Sequence, residues 1–424
     1  MSDFDNIAIE EALKSSLGRT AIFRRYDREN KTPMNFVLDE VQRQIGPGFG
    51  VYWVDGGHPE VFCLPGFSPI PVVFSTRYLS LTAFVRRLFV EESLKGVLPD
   101  VAERTALKVI AELSLRHGDP DVAVLALVKS ITGKGIWISD DDQLMALEHE
   151  PIHENYMATW FYGLLHELGH LHPAQNSAFG EKHAFSDARI LAAIAASLDR
   201  FPAYPDGMKR AAIEQARQSQ ENSILRIDHL RTEGLADMFA ASVLFKSTFE
   251  IMKRVNQKQF EVIRYVQEIV VFSNIIAVID RCRRTAALAT LTGGTRAAAF
   301  ESALHPVSMM VRGMMLREYL DRAVAEYLYS KPTTRQFEDV EQLIDKINGS
   351  FSETVDTIDS GVARAMAFSL FPEHRTNGLA ALDAFRIELA ESPLGGAEAR
   401  RFCELADSLS ISGKLLTALK GILS

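Results

Sequence analysis

His166-Glu167-Leu168-Gly169-His170 is the stretch of this 424-residue chain whose residue types and spacing most directly offer chemistry. On a helix, positions four apart lie one turn apart on the same face. Two imidazoles placed that way can hold one tetrahedral zinc ion. Glu167 sits about 100° round the helix from His166. From there its carboxylate can reach a water on the open position of such a centre and act as general base.

A catalytic zinc usually takes three protein ligands and a water. A further histidine six residues after His170 would complete one such set, but that position is Asn176. The stretch Leu230-Arg231-Thr232-Glu233-Gly234-Leu235-Ala236-Asp237-Met238-Phe239-Ala240-Ala241 is the better source. Glu233 and Asp237 stand one helical turn apart and lead into an apolar, small-residue run. Glu233 is the expected third metal ligand. Asp237 is expected to accept a proton from a ligand histidine and so fix its tautomer. His229 and His183 are the rivals for the third position. His229, one turn before Glu233, could instead donate a hydrogen bond to a transition-state oxyanion. His183, in Gly180-Glu181-Lys182-His183, reads as a loop residue, and Tyr204 is a further oxyanion candidate should its loop fold over the metal.

The elements that must position these groups are legible from periodicity. Pro151 and Pro173 bound a segment of helical length. Within it Met157, Trp160, Phe161, Leu164, Leu165, Leu168 and Leu171 recur at three- and four-residue spacing, as in a helix packed into a core. A second helix, Ile224 to Lys246, carries Glu233 and Asp237.

Together, His-Glu-Leu-Gly-His followed by Glu-x-x-Ala-Asp-x-Phe-Ala resembles the gluzincin-type metallopeptidases. Within them it resembles two intracellular bacterial groups: the immunity-repressor and radiation-response peptidases, and the phage-exclusion peptidases that cut a translation factor. The resemblance covers about residues 151–245 and is concentrated in the two short motifs. It implies a zinc-dependent endopeptidase with one dedicated protein target, in stress response, phage defence or regulation.

Composition is compatible with this reading. Hydrophobic residues make up 47% and charged residues 24%, the balance of a globular protein able to bury a sizeable core. A net charge of −9 argues against nucleic-acid binding driven by phosphate neutralisation. The N-terminus has neither the basic nor the apolar segment of a secretory signal. The longest apolar run, around Ile269 to Ile279, is too short to span a bilayer. Three well-separated cysteines, Cys63, Cys282 and Cys403, form neither a metal-ligand spacing nor a disulfide framework. A cytoplasmic address is expected. The expected partner is a protein or peptide substrate, with no nucleic acid and no membrane.

The expected fold class is α+β, mainly α. Residues 1–120 form an N-terminal α+β region, 121–250 the zinc-peptidase core and 251–424 a helical C-terminal region. In the first, helices near Ile7 to Leu17 and Met34 to Ile45 precede three strands. Phe49 to Val54, Glu60 to Leu64 and Pro71 to Ser75 read as a small antiparallel meander, with Asp55-Gly56-Gly57 as a turn. Leu81 to Leu94 and Val101 to Arg116 follow as helices. His117-Gly118-Asp119-Pro120 is a break and a candidate domain boundary. Gly135 to Ser139 is the expected edge strand beside the metal helix, where a peptide could add as another strand. C-terminal helices are expected at 249–291, 296–330, 336–348, 351–370, 379–391 and 397–421. A reading from another class is a helical interaction or regulatory protein with a structural or degenerate zinc site, closed by His229 or His183 as fourth ligand. A third is a zinc hydrolase acting on a non-peptide amide.

Overall fold

The computed structural model describes residues 7–12, 22–25, 48–55, 61–64, 66–75, 98–132, 162–171, 177–202, 204–218, 223–255, 296–329, 331–370, 377–391 and 393–424, with isolated positions between 38 and 43 and between 266 and 281. The protein is mainly helical with one small sheet, an α+β chain of the expected class. The chain divides into two compact units, each assembled from three separated segments. Unit 1 comprises Met1–Leu79, Ile152–Ser273 and Leu304–Ser350; unit 2 comprises Ser80–Pro151, Asn274–Ala303 and Phe351–Ser424. These units cut the chain differently from the three consecutive regions expected. The expected edge strand at 135–139 and the helix at 81–94 lie outside the described residues.

In unit 1 the sheet contains β1 (Ile22–Arg25), β2 (Phe49–Asp55), β3 (Val61–Cys63) and β4 (Ile70–Ser75), in the order β1-β2-β4-β3. It is not the antiparallel meander expected. β2 pairs parallel with β4, in the register Val51 to Val72 and Trp53 to Phe74, while β3 turns back antiparallel on the far side of β4. β1, not foreseen as a strand, pairs antiparallel with β2. The reason lies in the side chains. β2 and β4 are near-continuous apolar runs, and Val51, Tyr52, Val54, Val72, Val73 and Phe74 are all buried. Such runs belong in the middle of a sheet, covered on both faces. β1, with Arg24 and Arg25, and the short, partly exposed β3 suit the edges. On one face Tyr52, Val54 and Val73 pack with Ile9 of the N-terminal helix and with Phe62, Leu64 and Phe67.

The first described helices of unit 2 are α1 (Leu98–Arg116) and α2 (Pro120–Thr132). The break between them is a tight turn, and both helices fall in the same compact unit. Gly118 takes a positive φ of 82°, the left-handed position that lets the Asp119 N–H reach the Ser114 carbonyl at 2.9 Å. Asp119 then caps α2 by accepting from the Val122 N–H at 3.1 Å, with Pro120 opening the helix.

Among the described residues, unit 1 next contains α3 (residues 162–171), α4 (Ser177–His183), α5 (Asp187–Asp199), α6 (Asp206–Arg217) and α7 (Ile227–Val255), followed by α8 (Arg296–Tyr329), which belongs to this unit from Leu304. Three of them, α3, α7 and α8, make the frame of the site. α3 buries Tyr162, Leu164, Leu165 and Leu168, so it is a core helix as its periodicity predicts. It approaches α7 at backbone distance: a Cβ on Gly169 would lie 2.8 Å from the Ala236 Cα. α7 in turn meets α8 where a Cβ on Gly234 would lie 2.7 Å from the Met315 Sδ. α8 lies beyond the expected 121–250 region.

Downstream, 336–348 and 351–370 form one helix, α9 (Thr334–Leu370), rather than two. Gly349 lowers helix propensity by about 1 kcal/mol but does not stop a helix whose flanks are strongly periodic. α10 (Gly378–Glu391) falls as expected. The last expected helix divides into α11 (Pro393–Ser408) and α12 (Lys414–Leu423). Ser410, at φ 56°, ends α11 in the left-handed position usually taken by glycine, and the Ile411 N–H reaches the Ala406 carbonyl at 2.9 Å. Among the described residues no helix is long and apolar enough to cross a membrane.

Candidate metal centre

α3 brings His166, Glu167 and His170 together. One ligand atom from each lies within 4.8 Å of the others, the one such cluster of histidine, cysteine and acidic side chains among the described residues. The imidazoles of His166 and His170 meet edge to face, with ring centres 4.8 Å apart. That is the geometry of two side chains stacked one turn apart on one helix face.

α7 lays its two carboxylates against them. Glu233 Oε2 is 3.4 Å from His166 Nε2, and Glu233 Oε1 is 3.7 Å from His170 Nε2. A tetrahedral centre with arms of about 2.0–2.2 Å spaces its ligand atoms by roughly 3.3–3.6 Å. The two oxygens of Glu233 thus face one imidazole each, at about that spacing. Asp237, a turn further along α7, reaches the other ring nitrogen: its Oδ1 lies 2.9 Å from His166 Nδ1. An ionised carboxylate only accepts, so Nδ1 carries the proton and Nε2 is the nitrogen left for a metal.

Two residues not foreseen complete the arrangement. Tyr162, one turn before His166, donates its hydroxyl to Asp237 Oδ1 at 3.1 Å. Arg312 of α8 donates to both Asp237 oxygens, from Nε to Oδ2 at 2.9 Å and from Nη2 to Oδ1 at 3.0 Å. Its Nη1 lies 3.2 Å from Glu233 Oε2. The i, i+4 spacing of Tyr162 to His166 is a signal periodicity could have given. For Arg312 the only trace is a lone cation amid Val311, Met314, Met315 and Leu316.

Burial divides the centre into a closed and an open side. The side chains of His166, Asp237 and Arg312 are 8%, 5% and 7% exposed, whereas His170, Glu233 and His229 are 27%, 19% and 24% exposed. His229 Nδ1 lies 3.9 Å from Glu233 Oε1 on that open side. His183 is placed elsewhere. It ends α4 rather than sitting in a loop, and its ring packs between Phe179 at 4.7 Å and Tyr319 at 5.3 Å. The ring of Tyr204 stacks on Phe201 at 5.0 Å.

The charges of the site are strongly coupled. Burial works against ionisation of Asp237, but Arg312 first and then His166 outweigh it and hold the carboxyl at about 2. Glu233 also ends well below the ordinary carboxylate range, burial again being overcome by Arg312 and then by His166. Burial disfavours a charged His166, yet the hydrogen bond and charge of Asp237, helped by Glu233, raise it to about 10 in the metal-free chain. His170 is lowered to about 4, by burial first and by the neighbouring His166 second. One further thiol belongs to this neighbourhood. Cys63 of β3 is pushed far up, chiefly by burial and then by the negative charge of Glu167.

No protein-family model, curated protein or solved structure matches the chain.

Proposed function

We propose that this protein is a zinc-dependent endopeptidase, with zinc held by His166, His170 and Glu233. The observation that carries the reading is the position of the Glu233 carboxylate, 3.4 and 3.7 Å from the Nε2 atoms of the two histidines. Three nitrogen and oxygen donors with an exposed flank suit a catalytic centre that keeps a position open. When bound, the metal would polarise a carbonyl and acidify a water at that open position. Glu167 takes the proton from the attacking water and returns it to the leaving amine. Asp237 holds the His166 ring in its ligating tautomer. His229, on the open side, donates a hydrogen bond to the oxyanion that develops in the transition state.

A peptide is the substrate class best supported. Among the described residues β3 is one of the two edge strands of the sheet, and the negative charge of Glu167 adds to the burial that raises its Cys63 thiol. An extended peptide can add to such an edge as another strand. The sequence resemblance to gluzincin-type peptidases points to a specific protein target in regulation or phage defence.

Glu167→Gln provides the test, because it removes the base and leaves the ligands. Wild-type and variant proteins loaded with zinc are incubated with a cell extract, and new protein N-termini are mapped by mass spectrometry. Cleavages made by wild type and absent with the variant support the reading. Identical cleavage by both would defeat it.

The second reading is a structural zinc site in a helical interaction protein. It is favoured by the 3.9 Å approach of His229 to Glu233. It requires zinc to stay fully bound in wild type and to be lost from His229→Ala. Retention in that variant would exclude it.

A further inference from the structure

The guanidinium of Arg312 makes three contacts with three different carboxylate oxygens. Nε and Nη2 fork onto Asp237, and Nη1 faces Glu233 Oε2. We propose that Arg312 is a positioning residue for the metal centre, a fork that fixes the Glu233 ligand directly and the His166 ligand through Asp237. This rests on reading His166, His170 and Glu233 as the zinc ligands.

A merely structural cross-link between α7 and α8 is the plain alternative, and three observations weigh against it. Gly234 and Met315 already hold the two helices in close contact without any charge. Burying an ion pair is a poor way to add stability, since desolvation offsets much of the attraction and packed apolar side chains do as well. The side chain is almost wholly buried at 7% exposure, and three of its donor contacts fall on Glu233 and Asp237, the residues assigned to bind the zinc and to orient a zinc ligand. What the fork does, and an apolar pair could not, is fix the planes of two carboxylates that stand one turn apart and would repel each other. Asp237 Oδ1 also accepts from His166 and Tyr162, so the Arg312 fork sets the plane in which the His166 ring is held. Geometry also selects arginine over lysine. A guanidinium presents a rigid planar set of donors, whereas an ammonium is a point charge that satisfies one such contact well.

The test compares zinc affinity in the full chain, by competition against a chromophoric chelator, for wild type, Arg312→Lys, Arg312→Met and the double variant Arg312→Lys/Asp237→Asn. Outer-shell partners of metal ligands typically contribute about 10–100-fold to affinity, and both single variants should lose an amount in that range. The double variant should lose less than the product of the single losses, because the two residues act as a unit. Thermal melts with chelator present report the metal-free fold separately. Arg312→Met risks misfolding with two carboxylates left unpaired; Arg312→Lys keeps the charge and decides the matter. A lysine variant that binds zinc as tightly as wild type would overturn the proposal while leaving the peptidase reading intact. A wild type that binds no zinc would overturn both.

Discussion

Asp237 and His166, on two different helices, meet at 2.9 Å with both side chains buried, and this contact decides which nitrogen of the histidine faces Glu233. Asp237→Asn reverses that choice in part. An amide can offer an N–H to Nδ1, which moves the imidazole proton to Nε2, the atom needed by a metal. Zinc affinity should fall by about 10–100-fold, read by the same competitive titration. Unchanged affinity would remove Asp237 from the centre.

Metal binding should be coupled to protons, with a defined direction. His166 is raised from its ordinary 6.5 to about 10, so its charged form stabilises the metal-free fold fully below 6.5, and that stabilisation is lost as pH rises through 10. His170 is lowered from 6.5 to about 4, so its contribution is present above 6.5 and lost as pH falls through 4. Melting temperatures of the chelated protein should therefore decline on both sides of neutrality. A ligating imidazole must be neutral, so zinc uptake at pH 7.5 should release about one proton per chain. Calorimetry in two buffers of different ionisation enthalpy measures it, and no release would contradict the protonation assigned to His166.

The two glycines at the helix crossings should respond differently to alanine. At Gly169 the obstacle is backbone, with the Ala236 Cα at 2.8 Å and its carbonyl oxygen at 3.0 Å. Gly169→Ala should destabilise by about 1–3 kcal/mol, as overpacking does, and weaken zinc binding through displacement of His170. At Gly234 the obstacle is the flexible end of Met315, which can turn aside, and the better helix propensity of alanine offsets part of the cost. Urea unfolding of the two variants compares them. A larger loss at Gly234 than at Gly169 would contradict the packing described.

Much of the site is legible from local spacing. His166, Glu167 and His170 share one turn and Glu233 and Asp237 another, and pairs four apart on a helix are bound to meet. The presence of Gly169 inside the motif also acquires a reason, since the close crossing with Ala236 leaves no room for a Cβ. Arg312 was not legible: it enters from a helix 75 residues beyond Asp237, and no local pattern marks a cation that will be buried. The strand order departs from the expected meander for a related reason. Asp55-Gly56-Gly57 looks like a hairpin turn, but hairpin signals are local, whereas the pairing of β2 with β4 is set by which strands must be covered on both faces. Helix existence in the C-terminal half followed from periodicity, while the continuity through Gly349 and the stop at Ser410 turned on single residues whose backbone preferences are too weak to decide the matter alone.

The central claim is that Glu233 completes a zinc centre with His166 and His170. Elemental analysis of zinc per chain, on wild type and on Glu233→Ala purified alike, tests it most directly. The account predicts about one zinc in wild type and far less in the variant, as for a three-ligand centre deprived of one ligand. Full retention in the variant would move the third ligand away from Glu233. No zinc in wild type, even after reconstitution, would contradict the account outright.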